Sequence, residues 1–231
     1  MSRILIVMSA ADVWERADGS AYPTGYWAEE LAAPHEKFVE AGHTVDFTSP
    51  GGVAQPLDRH SADPEVAGAE CARHVAHAER ALREFGPLLK LSEVSADDYA
   101  ALFLPGGHGP VVDLHQDARL GRLLTAADAS GKLLGAVCHG PAALLSAVDE
   151  EGEWLFAGRE MTAFTDEEER LFGTAEGAPW LLAARLRERG AVHSGGPAYA
   201  PFTVRDRNLF TGQNPASSAP LAEEMVAALR G

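Results

Sequence analysis

Short apolar runs that alternate with helical patterns are the feature that most limits the fold of this chain. The runs at residues 4–8, 101–104 and 132–137 are rich in branched side chains and end at turn residues. Such runs are typical of strands that are buried on both faces, as in a parallel sheet. Helical patterns lie between them, for example at residues 120–129. This alternation predicts an α/β fold with a doubly wound, mostly parallel sheet and helices on both faces.

The rest of the chain continues the alternation. A helix is predicted over residues 27–40, and Pro34 inside it should kink or break that helix because proline lacks the N–H that an interior turn needs. No repeat, low-complexity tract or linker divides the chain, so we expect a single domain over residues 1–231. The other predicted elements are strands at 44–48 and near 161–164, a hairpin at 202–211, and helices at 64–85, 141–148, 179–189 and 215–230.

The charge balance of the chain limits its partners. The sequence has 34 acidic and 19 basic side chains, which give a formal net charge of −15. Because phosphate groups are bound largely by Lys and Arg, this balance argues against a nucleic-acid partner or an anionic membrane surface. The one cluster of arginines, Arg185, Arg187 and Arg189, lies near a predicted helix C-terminus, where positive charge is favourable in any case.

Cysteine content and the N-terminal residues bear on the cellular compartment. Two cysteines, Cys71 and Cys138, cannot build a disulfide framework. The first apolar run is followed by Asp12 and is too short and wrongly flanked for a signal peptide or a membrane-spanning helix. We therefore expect a cytoplasmic protein with free thiols and no membrane partner.

The most informative segment is residues 135–141, with the sequence Gly-Ala-Val-Cys-His-Gly-Pro. Cys138 follows an apolar strand and precedes a predicted helix, and small residues stand two positions before and after it, which is the pattern of a nucleophile elbow. The helix start would stabilise a thiolate, and His139 offers a base or a cationic partner. A buried structural cysteine is the alternative. We favour the catalytic interpretation because a core strand seldom ends in His-Gly-Pro.

Other arrangements of chemically active residues are weaker. Cys71, His74 and His77 are spaced three apart on a predicted helix, but they lack a fourth ligand, so we expect a polar helix surface and no metal site. The turn at residues 106–109 does not have the dinucleotide-binding pattern, and no phosphate-binding glycine loop precedes Lys132. The sequence therefore predicts no cofactor.

Taken together, these motifs resemble the ThiJ/PfpI superfamily, whose fold is flavodoxin-like. The resemblance spans essentially the whole chain. Within the superfamily, the sequence is most similar to the branch of heat-shock chaperones with glyoxalase III activity. It is carried by the elbow at 137–140, the glycine-rich turn at 104–109 with Asp113 after it, the Thr-Gly-Tyr-Trp-Ala-Glu-Glu segment at 24–30, and the segments at 164–166 and 211–218.

The resemblance implies roles for four residues. Cys138 is the nucleophile, and Glu30 is a protonated carboxyl group against its sulfur, where a dry cleft should raise the carboxyl pKa. His139 is oriented by an acid, for which Glu169 is the best match in the acidic run at residues 166–169. That run has four candidates and would also be favourable as a solvated helix start, so both interpretations remain open.

Further expectations concern the pocket and the assembly. Gly106 and Gly107 are candidate oxyanion donors through their backbone N–H groups, although an ordinary strand-ending turn would explain them too. Trp27 and Tyr26 line either the pocket or the core. The resemblance also implies a homodimer.

The function that the resemblance implies is a glutathione-independent glyoxalase, a lyase that converts methylglyoxal or a similar 2-oxoaldehyde to a 2-hydroxy acid through a hemithioacetal on Cys138. A close variant would remove glyoxal adducts from protein side chains. The alternatives are a stress chaperone and a cysteine peptidase or amidase. A class I glutamine amidotransferase is excluded because Gly195 stands where the glutamate of its His-x-Glu motif would follow His193.

Overall fold

A seven-stranded, mostly parallel sheet forms the centre of the molecule. The computed structural model describes residues 1–149 and 151–230, so Glu150 and Gly231 of the predicted domain lie outside the described residues. The strands are β1 (Arg3–Val7), β2 (Val13–Glu15), β3 (Ala21–Pro23), β4 (Thr44–Ser49), β5 (Leu89–Lys90), β6 (Ala101–Leu104), β7 (Leu133–Val137), β8 (Glu160–Met161), β9 (Val192–His193), β10 (Thr203–Asp206) and β11 (Leu209–Gly212). The strand order in the central sheet is β10-β11-β7-β6-β1-β4-β5, and every neighbouring pair is parallel except the β10–β11 hairpin.

Helices cover both faces of this sheet. The helices are α1 (Ala28–Glu40), α2 (Pro64–Ala67), α3 (Cys71–Phe85), α4 (Ala118–Ala129), α5 (Asp166–Phe172), α6 (Leu182–Glu188) and α7 (Ser218–Arg230). Along β1, the side chains of Ile4 and Ile6 pack in one apolar cluster with α1, α3 and α7, whereas Leu5 and Val7 pack in another with α4 and α6. This confirms the predicted doubly wound α/β fold, since a strand between two helical layers needs apolar side chains on both faces.

Two helix predictions need correction. Helix α1 continues through Pro34 rather than breaking there, because its buried face packs on α3 and α7 and offsets the hydrogen bond that proline removes. A kink at Pro34 stays a prediction. The helix predicted over residues 64–85 is instead two helices. They separate at Gly68, whose φ of 81° is favourable for glycine and incompatible with a continuing helix.

The segment after the elbow also differs from the prediction. Residues 140–146 form a 3₁₀ helix rather than an α-helix, with Pro141 in its first turn. The strand predicted near residues 161–164 is limited to β8, which pairs with β9 outside the central sheet. The chain leaves that strand because the Phe164 N–H donates a hydrogen bond to the Cys138 carbonyl, 2.9 Å away.

The predicted polar surface around Cys71, His74 and His77 is wrong. All three side chains are buried, on the side of α3 that packs against α1. His77 Nε2 lies 2.9 Å from His35 Nδ1 on α1, and the Cys71 thiol donates to the Ala62 carbonyl. These polar side chains of α3 therefore find partners on α1 and on the Ala62 backbone instead of facing solvent.

None of the helices in residues 1–149 and 151–230 combines the length and the apolar character that crossing a bilayer requires.

Candidate active site

Cys138 lies at the carboxyl edge of the parallel sheet, one residue beyond β7. Its φ of 59° is unusual for a residue with a side chain. The conformation is held on both sides, because the Cys138 N–H donates to the Gly212 carbonyl and the Cys138 carbonyl accepts from the Phe164 N–H, each at 2.9 Å. A Cβ at Gly140 would lie 2.0 Å from the Leu104 carbonyl oxygen, so only glycine fits there. The backbone thus has the tight strand-to-helix turn of a nucleophile elbow.

The structure brings Cys138, His139 and Glu169 into one hydrogen-bonded line. The Cys138 Sγ is 3.3 Å from His139 Nδ1, and His139 Nε2 is 2.7 Å from Glu169 Oε1. Burial by itself raises the pKa of Glu169, but electrostatic attraction to the His139 and His108 rings and their hydrogen bonds outweigh burial and hold that pKa well below its usual range. Glu169 is therefore a carboxylate that can orient His139 and stabilise its protonated form.

Hydrogen bonds and ion pairs distinguish Glu169 from neighbouring acids of the segment at residues 166–169. Asp166 pairs with Arg187 on α6. The Glu168 carboxylate is buried and accepts hydrogen bonds from the Gln213 and Asn214 side chains, at 3.1 and 2.8 Å. Glu168 also forms a capping box with Thr165 at the start of α5. This cap sets the rotation of the helix so that the next residue, Glu169, reaches His139.

Glu30 is completely buried beside the nucleophile. Its Oε2 accepts a 2.6 Å hydrogen bond from the Gly106 N–H, and its Oε1 has no partner among the described residues. Burial raises the pKa of Glu30 to about 8, against the smaller, opposite effects of the neighbouring Cys138 thiol and of the hydrogen bond from Gly106. The carboxyl group of Glu30 therefore keeps its proton at neutral pH. A raised pKa is also what the resemblance implies for this residue.

The expectation of a helix-stabilised thiolate needs correction. Burial raises the pKa of the Cys138 thiol well above its usual range, and the neighbouring charge of Glu30 raises it further. The segment after the elbow is a short 3₁₀ helix, so its dipole is weaker than the predicted one. Both effects favour the neutral thiol of Cys138, so an attack by this sulfur on a substrate would require transfer of its proton to a neighbour.

The candidate oxyanion donors are also revised. The Gly106 N–H is occupied by Glu30, so Gly106 positions that carboxyl group instead of facing a substrate oxygen. Gly107 has a φ of 75° and lines the cavity described below. Neither the Gly107 N–H nor the His139 N–H donates to an acceptor within residues 1–149 and 151–230. These two groups are the donors that remain for a developing negative charge.

A cavity of about 650 Å³ opens above the elbow. The buried side chains of Cys138 and His139 line its inner part, and the exposed side chains of Val66 and Leu171 lie at its mouth. Of the two aromatic candidates, Trp27 lines the cavity and Tyr26 packs in the core. Four further aromatic side chains complete its wall: Tyr22, Phe164, Phe172 and Tyr199.

His108 was not predicted as a site residue, although it lies in the glycine-rich turn at residues 104–109. The His108 ring stacks on Trp14 and packs at a tilt against His139, with centroid distances of 4.7 and 4.2 Å. Burial and the nearby His139 lower the pKa of His108, so it is a neutral imidazole. His108, His139 and Glu169 place one ligand atom each within 4.8 Å of one another, which is the spacing of a metal site. They supply one ligand fewer than a closed tetrahedral site needs.

Together the fold and the site define a class of protein: a doubly wound α/β protein with a Cys-His-Glu arrangement on a nucleophile elbow. Within that class, the chain belongs to the DJ-1/PfpI family, whose model matches residues 23–228. The resemblance found in the sequence motifs is thereby confirmed.

Individual relatives are similar over most of their length. Glyoxalase 3 of Candida albicans is 29% identical over 239 residues, which cover 99% of this chain and 98% of the relative. The crystal structure of glyoxalase III from Candida albicans superposes with a TM-score of 0.80 at 27% identity and covers 98% of this chain and 96% of that one. The protein/nucleic acid deglycase HchA of Pseudomonas aeruginosa is 29% identical over 89% of this chain and 73% of the relative.

Proposed function

We propose that this chain is a glutathione-independent glyoxalase that converts methylglyoxal, or a similar 2-oxoaldehyde, to the corresponding 2-hydroxy acid. One observation carries the proposal: the Cys138 Sγ lies 3.3 Å from His139 Nδ1, beside a buried Glu30, on the wall of a cavity that can admit a substrate. The similarity to relatives named as glyoxalases supports it.

The first step is attack of the thiol on the aldehyde. His139 Nδ1 takes the thiol proton as a bond forms between sulfur and the aldehyde carbon, and Glu169 stabilises the resulting imidazolium. The aldehyde oxygen takes the proton of Glu30. The product is a hemithioacetal on Cys138, with Glu30 left as a carboxylate.

The second step moves a proton between adjacent carbons. The Glu30 carboxylate removes the proton from the carbon bonded to sulfur, and His139 protonates the neighbouring carbonyl oxygen, which gives an enediol. Glu30 then delivers a proton to the second carbon, and the hydroxyl proton of the first carbon returns to Glu30 as the thioester forms. Water hydrolyses this thioester to the hydroxy acid and regenerates the thiol, so that no cofactor and no oxidant are consumed.

The turnover experiment compares the wild type with Cys138→Ala and Glu30→Gln at matched folding. Loss of methylglyoxal and formation of lactate are measured together, and we expect both variants to fall by about 100-fold or more, since each removes a reacting group. Cys71→Ala is the control, because Cys71 is buried against the Ala62 carbonyl and does not line the cavity. No lactate from the wild type, or a full rate in Cys138→Ala, would contradict the proposal.

A chaperone function is the second candidate. It is favoured by the exposed apolar side chains of Val66, Leu171 and Tyr199, which are 44%, 62% and 47% exposed around the mouth of the cavity. Suppression of aggregation that survives Cys138→Ser would assign holding activity to this surface rather than to the thiol.

A further inference from the structure

The cavity is larger than a three-carbon aldehyde needs. Its volume of about 650 Å³ falls in the range of cavities that hold drug-sized ligands. Methylglyoxal would occupy only the inner part near Cys138. The outer part is therefore available to a substituent on the carbonyl substrate, and its lining determines which substituents are favourable.

The charged side chains of this lining are of one sign. Within the described residues, two glutamates, Glu29 and Glu65, line the cavity, and no lysine or arginine does. Neither glutamate forms an ion pair with a described side chain, and Arg73, whose charge acts on Glu29, is already paired with Glu36 and Glu70. Glu29 is half-buried, so its charge is less screened by solvent than an ordinary surface charge.

The wall between these carboxylates and the nucleophile is aromatic. The rings of Trp27 and Phe172 meet edge to face at 6.2 Å, and Tyr22 completes this side of the cavity. Trp27 is 8% exposed, and its indole N–H has no partner among the described residues. A buried donor without a partner is uncommon and indicates a place where a ligand oxygen is expected. Aromatic faces combined with carboxylates are the usual surroundings of organic cations.

We propose that the outer cavity binds a positively charged group, an ammonium or a guanidinium, carried by the carbonyl substrate, with Glu29 and Glu65 as its counter-charges. The inference rests on the proposed glyoxalase function and narrows its substrate class. Neutral 2-oxoaldehydes react through the same thiol chemistry, whereas anionic ones are disfavoured by both carboxylates.

The test uses three aldehydes of similar size and different charge: phenylglyoxal, its 4-trimethylammonio derivative and its 4-carboxy derivative. Formation of the three mandelates gives kcat/KM for each, and the ratio of the cationic to the anionic value is compared between variants, so that the intrinsic reactivities of the aldehydes cancel. We expect this ratio to fall by about fivefold in each of Glu29→Gln and Glu65→Gln, and further when both are combined.

Glu153→Gln is the matched control, because Glu153 is exposed and outside the cavity lining, and the substitution changes the net charge equally. We expect it to leave the ratio within twofold, on the order of the scatter for surface charges. If the enzyme turns over phenylglyoxal but the ratio is unchanged in Glu29→Gln, the inference is overturned. An equal fall of the ratio in Glu153→Gln would overturn it as well. Absence of mandelate from wild-type enzyme and phenylglyoxal would instead indicate failure of the glyoxalase proposal itself.

Discussion

Two acidic groups side by side, Glu30 and Cys138, dominate the chemistry at the residue scale. Burial disfavours the charged form of each, and a charge on either one disfavours a charge on the other. The pair therefore keeps its protons to a higher pH than either group would alone in water, and its titration belongs to both residues together. In the proposed mechanism, His139, held by Glu169, provides the route by which the thiol proton leaves during attack.

The stability of the protein should reveal the proton on Glu30. The pKa of Glu30 is about 8 in the folded protein because of burial, and near its ordinary value when unfolded. Between these values the folded state binds more protons, so the free energy of unfolding falls as pH rises. Measured by urea denaturation from pH 5 to pH 8, the wild type should lose stability relative to Glu30→Gln, by an amount on the order of a few kcal/mol. Parallel curves for the two proteins would show that Glu30 titrates normally.

Part of this site follows from sequence patterns and part does not. Cys138 and His139 stand next to each other in a segment with small flanking residues, so a local pattern is sufficient to find them. Glu169 was one of four acids in a row, and only the capping box at Thr165 decides which of them faces His139. His108 carries no local signal of its role, because its contact with Glu169 depends on how the turn after β6 packs against helix α5.

At the scale of elements, the strands that are buried on both faces were predicted, whereas the short strands β2, β3, β5 and β9 and several helix details were not. A strand buried on both faces gives a continuous apolar run, as in β1 and β6, and that signal is local. The burial of His74 and His77 is not a local property, because it depends on α1 supplying polar partners such as His35. The continuity of α1 through Pro34 likewise depends on tertiary packing.

The contact between the 3₁₀ helix and β6 gives a prediction for one glycine. In Gly140→Ala the new Cβ would meet the Leu104 carbonyl oxygen at 2.0 Å, so the backbone of the elbow must shift. We expect a loss of about 2 kcal/mol or more of stability, with loss of lactate formation in the fraction that folds. Gly195→Ala is the comparison, since its Cβ would meet only side-chain atoms, at 3.1 Å or more. Thermal unfolding that ranks the two variants equally would count against the packing described for the elbow.

At the scale of the whole molecule, the site depends on the sheet bringing distant segments to one edge. The parallel strands β7 and β11 place the elbow and the Gly212 carbonyl side by side, while β6 ends at the turn that holds Glu30 through Gly106. Helix α1 delivers Glu30 from the other direction. The sequence predicted the family and the sheet because its motifs are local, but the size and charge of the cavity emerge only when these segments are assembled.

The proposed glyoxalase mechanism depends on a covalent bond between the Cys138 sulfur and the substrate carbon during turnover. Rapid acid quenching of the wild type with methylglyoxal, followed by peptide mass spectrometry, tests this directly. We expect a lactoyl thioester on the Cys138 peptide that forms and decays at the rate of lactate production, and none on the Cys71 peptide. Lactate production without any adduct on Cys138, or at an undiminished rate in Cys138→Ala, would contradict it.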